Sequence, residues 1–138
     1  MPDPNELRSF AERYADSWCS QDPARVASHY APEGSLTING GIPAEGRVAI
    51  TEAALGFMTA IPDIQVVLDD LVVDNGRVQF RWTFTRTNTG PGGTGNRVRV
   101  SGFEEWTLAA DGLIAESQGH FDQAEYERQL EYGVEASR

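Results

Sequence analysis

The sequence predicts one α+β domain, with helices packed on one face of a curved antiparallel sheet in the order ααβαββββα. Three observations predict it. Helix-start signals recur at Asp3-Pro4, Asp22-Pro23 and Asp122. Apolar and polar residues alternate with a period of two through Val78, Phe80, Trp82 and Phe84. Tight-turn pairs, Asn75-Gly76 and Asp111-Gly112, separate the apolar segments of the second half.

The elements follow in order. Asp3 can cap a first helix, Pro4 suits its first position, and Glu6 completes a capping-box pattern. Leu7, Phe10, Tyr14 and Trp18 recur at helical spacing, so this helix buries one face. Asp22-Pro23 starts a short second helix with Val26 and Tyr30 on its apolar side, and Pro32-Glu33-Gly34 stops it. Residues 35–39 alternate, with Leu36 and Ile38 together on one side of a strand. A loop at 40–43 leads to a third helix from Arg47 to Ala60, with Ile50, Ala54, Phe57, Met58 and Ile61 as its inner stripe and Pro62 as its end. Residues 64–73 are rich in Val, Ile and Leu and form the next strand. A glycine-rich hairpin tip at 89–96 joins the alternating strand to one on which Val98, Val100, Gly102, Glu104, Trp106 and Leu108 share a face. Residues 113–121 make the last strand. Asp122 with Glu125 then opens a terminal helix carrying Tyr126 and Leu130 inward.

Composition narrows the function. The 138 residues hold 21 Asp+Glu against 11 Lys+Arg, a net charge of −10. That balance argues against nucleic acid and against anionic membranes as partners. All the basic residues are arginines, which removes Schiff-base chemistry and P-loop phosphate binding. One cysteine, Cys19, excludes a disulfide framework and a cysteine-rich metal site, and no metal-ligand spacing occurs around His29 or His120. The polar start MPDPNELRS does not read as a signal peptide, and no apolar run approaches the roughly 20 residues of a membrane span, so a cytoplasmic location is expected. Five arginines and no acid fall within 75–103, which reads as a basic hairpin facing solvent beside an acidic C-terminal segment. The glycines of 90–95 lack a following helix and a lysine, so they form a hairpin tip and no phosphate cradle.

One residue breaks the pattern. Glu104 is in register with Val98, Val100, Trp106 and Leu108, on the face expected to be buried. A carboxyl there is desolvated and its pKa rises. Three readings fit: a bulge at Gly102 that turns Glu104 outward, a buried structural acid, or a carboxyl in a ligand pocket. His120 and Phe121 alternate, so one of them faces inward. Asp122 is a candidate catalytic acid whose position also suits helix capping.

The layout resembles the nuclear transport factor 2-like superfamily, in its SnoaL-like branch. The resemblance rests on Arg13-Tyr14 to Trp18 with Asp22, on Tyr30-Ala31-Pro32-Glu33-Gly34, and on Gly46-Arg47. It continues in Thr87-Asn88-Thr89-Gly90, Thr94-Gly95, Asp111-Gly112-Leu113-Ile114-Ala115-Glu116, and Phe121-Asp122 with Gln129-Leu130. It implies a cone-shaped α+β barrel with a pocket between sheet and helices, a small apolar ligand, no cofactor, and a homodimer formed through the outer sheet face. Relatives of this kind include ketosteroid isomerase, limonene-type epoxide hydrolase and polyketide cyclases. The epoxide-hydrolase pattern puts an Arg and an Asp on the strand that here carries Trp82 and Phe84, and a second Asp where Gly119 stands. The isomerase pattern places its oxyanion-hole tyrosine and protonated acid on Tyr14 and Glu104, and its base on Ile38 beside Asn39.

The resemblance therefore implies an isomerase-, cyclase- or lyase-type enzyme acting on a small apolar carbonyl compound. Its candidate catalytic residues are Tyr14, Glu104, His120 and Asp122. Its candidate ligand-binding residues are Trp18, Leu36, Ile38, Met58, Trp82, Phe84, Trp106 and Phe121. The alternative is a non-catalytic binding or accessory protein that has lost the catalytic acids of the fold.

Overall fold

The computed structural model describes residues 3–61, 63–87 and 94–132. The helix end assigned to Pro62 and most of the glycine-rich tip lie outside them. Helices α1 (Pro4–Cys19), α2 (Pro23–Ala27), α3 (Gly46–Ala60) and α4 (Gln123–Tyr132) pack with strands β1 (Tyr30–Ile38), β2 (Ala44–Glu45), β3 (Gln65–Asp74), β4 (Arg77–Thr87), β5 (Arg97–Leu108) and β6 (Ile114–Phe121). The sheet order is β2-β1-β6-β5-β4-β3.

Local signals account for the elements. The Asp3 carboxylate accepts from the Asn5 N–H and the Asp22 carboxylate from Ala24, so both Asp-Pro starts are capped as expected. Asn75 and Gly76 both take left-handed φ values, 52° and 77°, and close the β3–β4 hairpin with the turn such a pair favours. Along β4, Val78, Phe80, Trp82 and Phe84 are buried and alternate with more exposed residues.

Three features depart from the sequence reading. The sheet is mixed: β1 runs parallel to β6, with Leu36 opposite Ser117 and Ile38 opposite Gly119. It is also open, since β2 and β3 stand at its two edges and do not pair. Tyr30 does not lie on α2; it begins β1, and Pro32-Glu33-Gly34 fall within that strand where its register shifts. A parallel neighbour far away in the chain leaves no local trace, so periodicity alone stops the helix too late. Finally, Arg86 does not face solvent with the other hairpin arginines. It continues the inner parity of β4 and is buried.

The concave face of the sheet and the helices enclose the core. Tyr14 of α1 meets Phe80 and Trp106 with ring centroids 5.3 Å away in each case, and Phe80 stacks on Trp106 at 5.1 Å. Each such ring contributes roughly 1.5–3 kcal/mol by burial. This aromatic cluster forms the floor on which the site is built.

Candidate functional site

Strand parity brings Glu104 inside. Pairing is continuous through Gly102, which lies opposite Trp82 on one side and Phe121 on the other, so no bulge turns the carboxyl outward. Gly102 has another role. A Cβ there would fall 2.6 Å from the Trp82 ring, so glycine lets that indole lie across β5. Glu104 is only 6% exposed.

Its two oxygens are treated differently. Oε1 accepts from Ser117 Oγ at 2.7 Å, from Trp106 Nε1 at 3.0 Å and from the Tyr14 hydroxyl at 3.0 Å. Among the described residues, Oε2 has only Tyr14, at 3.2 Å. The Tyr14 hydroxyl also shares a 2.8 Å hydrogen bond with the Tyr30 hydroxyl. Burial pushes the Glu104 carboxyl above its usual range, while the bonds from Ser117, Trp106 and Tyr14 pull it back down. Burial wins. Both tyrosines are driven well above their ordinary value by burial first and by the Glu104 charge second, so they stay neutral. With three donors aimed at Oε1, the carboxyl proton belongs on Oε2.

Glu104 stands in the wall of an apolar cavity of about 80 Å³. Trp18, Ile38, Trp82, Phe84 and Phe121 line it, as do Phe57, Ile64, Val66, Phe80 and Gly119. Leu36, Met58 and Trp106 are buried in the core beside it and are not part of its lining. The volume is about half that of a roughly 150 Å³ cavity that holds benzene, so the space suits one compact apolar group. Gly119 faces Glu104 directly across the β5–β6 ladder. A Cβ there would sit 3.6 Å from Glu104 Cγ and 3.0 Å from Ile38 Cδ1. Where related patterns put a second acid, this chain has a glycine, and Ile38 and Glu104 close in on the space a side chain would take.

His120 and Asp122 are not brought to Glu104. The β6 backbone at His120 borders the cavity, but the imidazole stacks on Phe103 at 4.9 Å and pairs with Glu105 at 3.6 Å. Phe103 and Glu105 alternate with Glu104, so that ring is on the opposite, outer face. There it joins Asn39, Arg81, Ser101 and Asp122 around an open recess. Asp122 accepts from the Glu125 N–H at 3.0 Å and caps α4. His29 is held by the Arg25 carbonyl at 2.8 Å and lies against the Phe10 and Tyr14 rings; burial lowers its pKa. Among the described residues no group of His, Cys, Asp and Glu could hold a metal ion.

Sequence reasoning missed Ser117 and Tyr30. The signal for Ser117 was available, since it shares parity with Phe121 on β6. Tyr30 carried no such signal, because its position depends on β1 starting one residue after α2 and its cap.

The profile of the SnoaL-like domain matches residues 11–117. The chain belongs to the SnoaL-like family. Solved structures similar to this SnoaL-like protein share its fold. A protein from Catenulispora acidiphila with a ketosteroid isomerase-like fold, in complex with trimethylamine, is 15% identical with a TM-score of 0.79, covering 94% of each chain. A candidate SnoaL-like polyketide cyclase from Jannaschia sp. is 18% identical with a TM-score of 0.79, covering 97% of this chain and 99% of that one. The epoxide hydrolase/cyclase-like enzyme SalBIII, of pyran ring formation in the polyether salinomycin, is 19% identical with a TM-score of 0.75, covering 91% and 97%. No curated protein matches the sequence. Among the described residues no helix of this SnoaL-like protein is long and apolar enough to cross a membrane.

Proposed function

We propose that this SnoaL-like protein is a cofactor-independent isomerase- or cyclase-type enzyme for a small apolar carbonyl compound, with Glu104 as its acid. One observation carries the reading: a buried carboxyl in the wall of an apolar cavity has one oxygen taken by three donors and the other left with a single long contact. Oε2–H hydrogen-bonds the ligand carbonyl as that oxygen gains charge, and because no other cavity-lining side chain among the described residues is placed to act as base, the α-proton leaves to hydroxide or buffer base from solvent. Tyr14 is a positioning residue. It is fully buried, outside the cavity lining, and gives its hydrogen bond to Glu104. This differs from the pairing that the isomerase resemblance implies, in which tyrosine and acid both reach the substrate.

A second reading is favoured by a specific observation. Among the described residues, the cavity is bordered by no titratable residue apart from Glu104 and His120, whose ring is on the other face. A binding or accessory protein needs no second group. The two readings separate in one experiment, α-proton exchange of cyclopentanone in D2O followed by proton NMR. The enzyme reading expects acceleration over buffer that falls in Glu104→Gln, whose amide N–H keeps a hydrogen bond to the carbonyl but is far too weak an acid to share a proton with it as charge develops. Ligand-induced change of Trp18 and Trp82 fluorescence with no exchange would favour the binding reading. Equal exchange in both proteins would sink the catalytic one.

A further inference from the structure

At the other end of the same concave face lies a buried charge that the Glu104 site does not use. Arg86 follows Phe84 at the same parity on β4 and is 7% exposed. Its Nη1 donates to the Tyr126 hydroxyl at 2.9 Å. Its Nε is buried with no hydrogen-bond partner, and Nη2 makes none among the described residues. Nε–H and Nη2–H point the same way, as the fork that carboxylates accept bidentately.

No acid answers this charge among the described residues. Arg86 is in none of the ion pairs. Asp63 accepts from the Thr87 N–H at 2.8 Å, and Glu125 is occupied by Arg128 and Gln129. A guanidinium cannot relieve burial by losing its proton, so the site stays one anion short. Arg86 and Tyr126 do not line the cavity themselves, but they stand directly behind its Phe84–Phe121 wall. Arg86 is about 7 Å along the strand from Phe84, and the Tyr126 ring packs on Phe84 at 5.5 Å and on Phe121 at 6.0 Å, both cavity residues. Because Tyr126 accepts from Nη1, its own O–H is available to the same anion.

We infer that the ligand of this pocket is an apolar monocarboxylate, its carboxylate held by the free edge of Arg86 and by the Tyr126 hydroxyl, its apolar body in the Trp82–Phe84–Phe121 cavity. This rests on the reading of the cavity as a ligand site and names the substrate class.

The test is titration of Trp18 and Trp82 fluorescence with 3-phenylpropionate and with its neutral amide. The wild-type protein is expected to bind the acid at least about tenfold more tightly than the amide, the worth of a charge-assisted hydrogen bond. Arg86→Met is expected to abolish that preference, and Tyr126→Phe to reduce it with the guanidinium intact. Equal affinity for acid and amide, no binding of the acid up to 10 mM (about the weakest useful affinity), or an undiminished preference in both variants would each overturn the inference. Glu104→Gln separates the two proposals: it should keep the acid preference while losing α-proton exchange.

Discussion

Glu104 and Arg86 are buried charged side chains on the concave face of one sheet, and the fold treats them oppositely. The carboxyl receives hydrogen bonds from Ser117, Trp106 and Tyr14. The guanidinium donates to one phenol and keeps a buried Nε without a partner among the described residues. The difference follows from what each group can do about burial. A carboxyl can take up a proton and become a neutral group that hydrogen bonds fully satisfy. A guanidinium stays charged and needs an anion. Glu104 is therefore neutral and satisfied at Oε1 without ligand, whereas Arg86 stays charged with no anion among the described residues.

The largest effect expected from breaking this contrast is at Glu104. Glu104→Ala removes the acceptor that Ser117, Trp106 and Tyr14 share, leaves Tyr14 only the Tyr30 hydroxyl, opens a void, and should cost about 3 kcal/mol or more in urea unfolding. Glu104→Gln should cost about 1 kcal/mol, because an amide keeps the accepting oxygen and puts an N–H where the neutral acid has its O–H. Equal losses for the two would mean that the donors do not depend on Oε1. The donor network makes glutamine, and not alanine, the substitution with which to test catalysis.

A pH series sharpens the comparison further. The folded-state pKa of Glu104 is raised, chiefly by burial. The native state thus holds this proton when the unfolded chain has released it, and stability falls as pH rises. The contribution is complete below about pH 4.3, the unfolded value for glutamate, and is lost as pH climbs through the folded pKa. Wild type should lose stability relative to Glu104→Gln over that window. A constant difference between them would show that folding does not raise the Glu104 pKa.

The smallest effect is expected at Arg86. Removing an underpaired buried charge and replacing its stem with methionine should change unliganded stability by no more than about 1 kcal/mol, and in the stabilising direction if any. A loss of several kcal/mol would show that Arg86 is already paired in the free protein.

Much of this was legible in the sequence. Period-two alternation put Glu104 inside before any coordinate did, and the same pattern extended one step past Phe84 reaches Arg86. That step fails on composition grounds, since a strand-end arginine in a lysine-free basic segment reads as surface. What buries it is α4, whose Tyr126 arrives from 40 positions away. Ser117 could be reached only by counting back from Phe121, because Ala115-Glu116-Ser117-Gln118 itself gives no hydrophobic contrast with which to read a face. The parallel alignment of β1 with β6 was not legible, because turns announce antiparallel hairpins and nothing local announces a parallel neighbour. Parity also could not say that Tyr14 would give its hydroxyl to Glu104 in place of a ligand.

That parallel pairing has a consequence for how the protein is made. Tyr14 and Glu104 are 90 residues apart in the chain. The strand that follows α2 has no long partner until β6 has been synthesised. On the ribosome, β1 must wait for nearly the last of the chain before it gains that partner, although Trp18 and Tyr14 can already pack on Phe57 and Phe80. The acid site is then the last part of the core to close, late in a fold dominated by distant contacts.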